Sequence, residues 1–217
     1  MRKIMDRLPG ANWAIAFIII IHLVGVVGFA FNETRWMFQN MVPFHLLLCV
    51  VLLIVYMKSR KGVLLKPLIG IFFLGFIAEM IGVNTGLLFG NYAYGSYLGI
   101  KIYNTPLMIG VLWAMLGYLF SGVMRSISHK WYFIPLGALL MTMFDLVMEP
   151  GAVSIGLWRW EGDYIPIFNY VTWFLLSIPV FTITRKDAVD MKNPLTVSLL
   201  LSQMGFFLAL TVISYLK

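Results

Sequence analysis

The sequence predicts an all-α, polytopic membrane helical bundle of about seven transmembrane helices, and three observations predict it. The 217 residues are 61% hydrophobic and only 12% charged, with a mean hydropathy of +0.90, which leaves too little polar surface to cover a water-soluble globule. Seven apolar runs each approach the ~20 residues that a helix needs to cross a bilayer core. The basic residues gather in short clusters between those runs, so the net charge of +7 reads as membrane topology and no nucleic-acid partner is expected.

Taken in order, the first span runs from Trp13 to Phe31; basic residues precede it, but no small-residue cleavage site follows, so it is expected to be a retained helix. The second, Met41 to Met57, is short. The third covers Val63 to Val83, with Lys66 close enough to one end to extend its ammonium to the headgroups. Thr105 to Met124 is the fourth, and Trp131 to Glu149 the fifth, which Pro150 is expected to end. Pro166 to Thr184 and Leu195 to Leu216 complete the set. Six or eight spans are the alternatives, and the whole chain, 1–217, reads as a single transmembrane domain solvated by lipid.

With seven spans, Arg2, Lys3, Arg7, Lys58, Arg60, Lys61, Lys66, Arg125, Lys130, Arg185, Lys186 and Lys192 share one side. Arg35, Lys101, Arg159 and Lys217 are left on the other. The positive-inside rule then expects a multi-pass protein of the cell inner (cytoplasmic) membrane, amino terminus in the cytoplasm and carboxyl terminus outside. The outer loops Asn84 to Asn104 and Pro150 to Ile165 are long and rich in Gly, Tyr and Trp, the composition of either an interfacial belt or a lid.

Three acids fall within or at the end of spans: Glu79, Asp145 and Glu149. An ionised side chain at the centre of a lipid-embedded helix costs about 2.5–3.5 kcal/mol on insertion scales, so such groups normally face the bundle interior and serve a function. The third and fifth spans run in the same direction, which brings all three acids to one depth near the outer face. The spacing of four puts Asp145 and Glu149 on one helical face. His45 lies just inside the outer end of its span and can join that layer; His22 lies deeper and His129 falls in a loop, so scattered histidines give no expectation of a metal site. The single cysteine, Cys49, excludes an intrachain disulfide.

An internal echo links the two acidic helices. Glu79 precedes Gly86-Leu87 by seven residues and Glu149 precedes Gly156-Leu157 by seven; Gly90-Asn91-Tyr92 and Gly162-Asp163-Tyr164 follow, and Pro106 and Pro166 open the next spans. A parallel repeat of helix, aromatic loop and helix, with its axis along the membrane normal, would produce this pattern. It would set the two glutamates opposite each other.

Neither a phosphate-binding loop nor a dinucleotide fingerprint is present, and the last span has no internal lysine for a Schiff base, so no cofactor is expected. Three blocks then carry a resemblance: Glu79 through Asn84, Thr85 and Asn91 to Tyr94; Asp145 to Pro150; and Gly156-Leu-Trp-Arg-Trp160 leading through Gly162-Asp-Tyr to Pro166 and Asn169. Together they resemble the membrane carotenoid hydratases of bacteria and haloarchaea, the carotenoid 1,2-hydratase or bisanhydrobacterioruberin hydratase group. The resemblance implies cofactor-free addition of water to the terminal double bond of an acyclic carotenoid end group, lycopene-type or gamma-carotene-type, with other carotenoid-pathway enzymes as partners. On this reading Glu79, Asp145 and Glu149 are the catalytic residues. His45, Asn84, Thr85, Tyr92, Tyr94, Trp158, Trp160 and Asn169 are expected to contact substrate.

The chemistry suits such residues. Protonating a trisubstituted alkene yields a tertiary carbocation, which calls for a carboxylic acid kept un-ionised by apolar surroundings and for an anionic or aromatic neighbour to steady the cation. Close carboxyls favour a split of roles, with Asp145 or Glu149 as proton donor and Glu79 as electrostatic partner or water-orienting base; Tyr92, Tyr94, Trp158 and Trp160 offer cation–π stabilisation. A carotenoid cyclase would use the same acids with an internal double bond in place of water. A small-molecule transporter is a further alternative for intramembrane acids, and a structural partner of another carotenoid enzyme is the last.

Overall fold

A computed structural model describes residues 10–57, 61–127, 132–186, 191 and 193–216. The amino-terminal basic cluster, Asp6, Lys58, Arg60, His129, Lys130, Asp187, Asp190, Lys192 and Lys217 lie outside the described residues. The described residues form seven α-helices: α1 (Ala11–Ala30), α2 (Asn32–Val55), α3 (Lys61–Thr85), α4 (Leu107–Ile127), α5 (Phe133–Ser154), α6 (Ile167–Thr184) and α7 (Thr196–Tyr215). All seven are long and apolar enough to cross a membrane, and the protein is a multi-pass membrane helical bundle. Large apolar side chains such as Phe17, Ile20, Phe73, Leu175 and Leu201 point outward, where hydrocarbon replaces water as their solvent. Helix α4 is the hub, with Trp113, Leu116, Tyr118, Leu119 and Met124 all buried.

Two helix boundaries differ from the sequence expectation. Helix α2 begins at Asn32, nine residues before Met41, because Glu33, Arg35, Gln39 and Asn40 read as a polar loop yet occupy two further helical turns. Arg35 and Gln39, four apart and so on one face, donate to the carbonyl oxygens of Ser154 and Ile155, which satisfies the exposed carboxyl end of α5. Pro150 does not end α5: the helix continues to Ser154. Proline forfeits one backbone hydrogen bond there, a loss that neighbouring groups in a membrane bundle can absorb.

Short strands join the two segments that carry the echo. β1 (Tyr92–Tyr94) follows α3, and β4 (Trp158–Trp160) follows α5. They pair antiparallel with Tyr92 opposite Trp160 and Tyr94 opposite Trp158. Because side chains alternate across a strand, this register turns all four rings to one face while Ala93 and Arg159 face outward. Between them in sequence, β2 (Lys101–Ile102) and β3 (Thr105–Pro106) form a hairpin. Its turn, Tyr103-Asn104, has positive φ at both residues, as a two-residue hairpin turn requires.

The geometry agrees with the echo between the halves at several points. Gly86 and Gly156 both have positive φ, 69° and 75°, and turn the chain out of α3 and α5. Trp113 and Trp173, each seven residues after Pro106 or Pro166, stack with ring centroids 4.3 Å apart. Tyr164 departs from the echo: it is exposed, whereas Tyr92 turns inward, so the aromatic pair equivalent to Tyr92 and Tyr94 is Trp158 and Trp160.

The ribbon approaches the end of α5 closely. A Cβ on Gly95 would sit 2.2 Å from the carbonyl oxygen of Gly156, whereas one on Gly205 meets nothing within 4 Å. Gly95→Ala is expected to destabilise the fold by about 1–3 kcal/mol through overpacking, seen as a lower unfolding midpoint in detergent. Gly205→Ala, in open helix, should leave that midpoint unchanged or raise it.

Candidate active site

Glu79 lies one and a half turns from the carboxyl end of α3 and is 5% exposed. Its Oε2 accepts hydrogen bonds from the hydroxyls of Tyr92 and Tyr94, both at 2.6 Å. The indole N–H of Trp113 donates to Oε1 at 3.1 Å. Glu149 on α5 is built the same way from the other strand: its Oε2 accepts the indole N–H groups of Trp158 and Trp160 at 2.8 and 2.9 Å. The antiparallel ribbon thus delivers two donors to each glutamate from above, and α4 supplies a third to Glu79.

Asp145, one turn below Glu149, is fully buried. Asn169 at the start of α6 donates its amide to Asp145 Oδ2 at 2.9 Å and to Glu149 Oε1 at 3.4 Å. The other Asp145 oxygen, Oδ1, is buried without a partner among the described residues, and such an orphan in an otherwise satisfied network calls for a chemical explanation. Burial, followed by the neighbouring Glu79, holds the Tyr92 and Tyr94 hydroxyls well above the ordinary tyrosine range. They remain protonated donors throughout the physiological range.

Two cavities meet at this layer. A small one of about 20 Å³ is lined by Glu79, Glu149, Asn169, Tyr92, Tyr94 and Trp160 among others, room enough for about one water molecule. Beside it lies an apolar cavity of about 330 Å³ between α1, α2, α4, α5 and α7, within the usual range for a small-molecule site. Ile109, Leu112, Met148 and Trp158 line both, so the two spaces adjoin at these four side chains. Val24, Met41 and Phe44, on the larger cavity's wall, are also exposed on the outer surface, which opens that space toward lipid.

The carotenoid biosynthesis protein family matches residues 40–216. The chain belongs to this family. It is also 31% identical over 110 residues to the bisanhydrobacterioruberin hydratase of Haloarcula japonica, an alignment covering 45% of this chain and 36% of that protein. The chain therefore aligns with little more than a third of that relative's length. No solved structure matches it significantly. The resemblance carried by the three sequence blocks holds, and within this family member those blocks converge on one layer.

The other expected residues are distributed unevenly. Tyr92, Tyr94, Trp158, Trp160 and Asn169 all reach the carboxyl groups, the four aromatics through their O–H and N–H edges. Asn84 and Thr85 do not: Asn84 bonds the carbonyls of Met80 and Tyr103 and the Asn104 amide, and Thr85 bonds the Ile81 carbonyl. Five and six residues beyond Glu79, they fall on other faces of α3 and are exposed. His45 is also outside the carboxyl layer. It faces His22, with Nε2 atoms 3.3 Å apart, on the wall of the apolar cavity.

Sequence reasoning missed Trp113 and Trp173. Their equal offset of seven from Pro106 and Pro166 was a legible signal, since a repeated tryptophan at matched positions lies inside the echo. Trp113→Phe keeps a ring to stack on Trp173 but removes one donor from buried Glu79. It is expected to cost about 1–3 kcal/mol, read as a lowered unfolding midpoint in detergent relative to the parent protein.

Proposed function

We propose that the protein hydrates the terminal double bond of an acyclic carotenoid end group. The observation that carries this reading is the meeting of a large apolar cavity with a water-sized one lined by two glutamates from different helices. The relative named above is a hydratase, which supports the same chemistry. The polyene lies in the apolar cavity, entering from lipid, with its end group against the glutamates.

The hydrogen bonds divide the roles. Both Glu79 oxygens accept from neutral donors, three in all, the pattern of an acceptor-only carboxylate. Glu149 Oε1 has only the long contact to Asn169, leaving a place for the proton that reaches the alkene. Asp145, behind it with an unpartnered oxygen, is a second proton-bearing carboxyl that shares Asn169 with Glu149. Glu149 donates its proton to the less substituted alkene carbon, and the positive charge develops on the tertiary carbon. Glu79 and the rings of Trp158 and Trp160 steady that charge. Water in the small cavity forms the new C–O bond and releases a proton to Glu79. Carboxyl protons are conserved over the cycle, and their return to Glu149 resets the site. No redox partner is needed.

The chain works in the cytoplasmic membrane with its amino terminus inside, the orientation set by its basic loops; the carboxyl layer then lies near the outer face. Room for a water molecule favours hydration over cyclisation, in which an internal double bond would take the cation.

Expression in a lycopene-producing host tests the reading. The expected product is a more polar tertiary alcohol whose oxygen carries the isotope from labelled water, not from labelled dioxygen. An unoxygenated ring would assign a cyclase instead. Glu149→Gln and Glu79→Gln, at normal protein levels, are each expected to lower product formation at least about 100-fold, and Asp145→Asn to lower it less. Full activity in all three variants would rule the mechanism out.

A further inference from the structure

Helices α1 and α2 carry a second cluster of chemistry-bearing side chains, independent of the carboxyl layer. His22 of α1 and His45 and Cys49 of α2 each offer one ligand atom, and all three atoms lie within 4.8 Å of one another. His45 Nε2 is 3.3 Å from His22 Nε2 and 3.6 Å from Cys49 Sγ. The spacing of four puts His45 and Cys49 on one face of α2, and α1 supplies the opposing nitrogen.

We propose that His22, His45 and Cys49 bind one thiophilic d10 metal ion, Zn(II) or Cu(I), in the wall of the apolar cavity. Two of the three separations suit such an ion: metal bonds of about 2.0 Å to nitrogen and 2.3 Å to sulfur, at tetrahedral angles, separate ligand atoms by about 3.3 Å (N to N) and 3.5 Å (N to S), and binding would draw His22 and Cys49, which lie within 4.8 Å, closer together. A thiolate with two imidazoles is also the donor set these ions prefer.

The tautomer is arranged for coordination. His22 Nδ1 lies 2.7 Å from the Ile18 carbonyl oxygen, an atom that can only accept, so the neutral ring carries its proton on Nδ1. Its Nε2 is then an acceptor that faces His45 Nε2 at 3.3 Å, and a backbone carbonyl on the far ring nitrogen is the outer-shell arrangement that usually orients a metal-binding histidine. Gln203 of α7 gives a further pointer. It is 7% exposed and lines the same cavity as both histidines, and its Oε1 is buried without a partner among the described residues. It lies one turn before Phe206, whose ring packs 6.0 Å from that of His22, so an oxygen donor is at hand for a fourth position.

Binding replaces the Cys49 S–H bond with a sulfur–metal bond and releases one proton to solvent, so occupancy rises with pH. The bound ion clips α1 to α2 and fixes the wall along which the apolar ligand lies. With one thiolate and two neutral imidazoles Cu(I) gives a site of zero net charge, whereas Zn(II) leaves one positive charge in a greasy cavity. That favours Cu(I) as the tighter ligand.

Full-length protein in detergent, stripped with chelator and dialysed against Zn(II), or against Cu(I) under reducing conditions, tests this by metal analysis. About one ion per chain is expected in at least one arm. Co(II) loading should add a thiolate-to-metal charge-transfer band that Cys49→Ala removes, and His45→Phe should abolish stoichiometric binding of all three ions. Unchanged circular dichroism would confirm that the variants are folded. Metal content no higher than in the Cys49→Ala/His45→Phe double variant, with no charge-transfer band, would overturn the proposal and leave the reading of the carboxyl site untouched.

Discussion

Two carboxyl groups can remain in the greasy interior of this bundle only because their hydrogen-bond donors arrive on apolar bodies. Tyr92, Tyr94, Trp113, Trp158 and Trp160 each present one polar edge to Glu79 or Glu149 and pack the rest of the ring among hydrocarbon. Tyrosine and tryptophan are suited to this because one end is apolar and the other seeks a partner. A lysine or arginine in their place would supply stronger bonds, but it would also fix the carboxyl group as an anion and demand solvation of its own. Neutral donors hold the geometry and leave the proton inventory free to change, which acid–base chemistry needs.

The rest of the architecture follows from delivering those donors. Four of the five come from two three-residue strands, and the antiparallel register that pairs Tyr92 with Trp160 aims all four down at once. The ribbon can sit low only because Gly95 lets backbone approach backbone at Gly156. Arg35 and Gln39 of α2 hold the nearby end of α5 from outside. The two halves are alike in outline and unlike in detail: Glu79 draws a third donor from Trp113, whereas Glu149 shares Asn169 with Asp145. In the proposed mechanism that asymmetry separates an acceptor, Glu79, from a proton carrier, Glu149.

Much of this was legible in the residues. Seven spans followed from hydropathy, the shared face of Asp145 and Glu149 from helical spacing, and the echo around Gly86 and Gly156 has a counterpart in their matching positive φ. What escaped had physical reasons. Residues 32–40 looked like loop because their polar side chains serve the end of another helix, a tertiary fact that no local pattern encodes. Pro150 looked like a helix end because the rule that proline stops helices is weaker in lipid, where a broken helix has no water to turn to. Asn84 and Thr85 sat in the right block on the wrong faces of α3. Four aromatics that could have formed an interfacial belt were instead inward-facing donors, three of them buried, a distinction that depends on strand pairing between segments more than sixty residues apart. His22 and His45 lie 23 residues apart on different helices, and only the packing of α1 against α2 brings their rings to 4.6 Å.

The central claim is that Glu79 and Glu149 act on one ligand from opposite sides of one cavity. A double-mutant cycle of Glu79→Gln and Glu149→Gln, read as the rate of tertiary-alcohol formation from a carotenoid in reconstituted membranes, tests it most directly. Residues that act as a unit are strongly non-additive, so the double variant should be scarcely slower than the worse single variant. Losses that multiply would mean that the two groups work independently, and the shared-cavity account would fail.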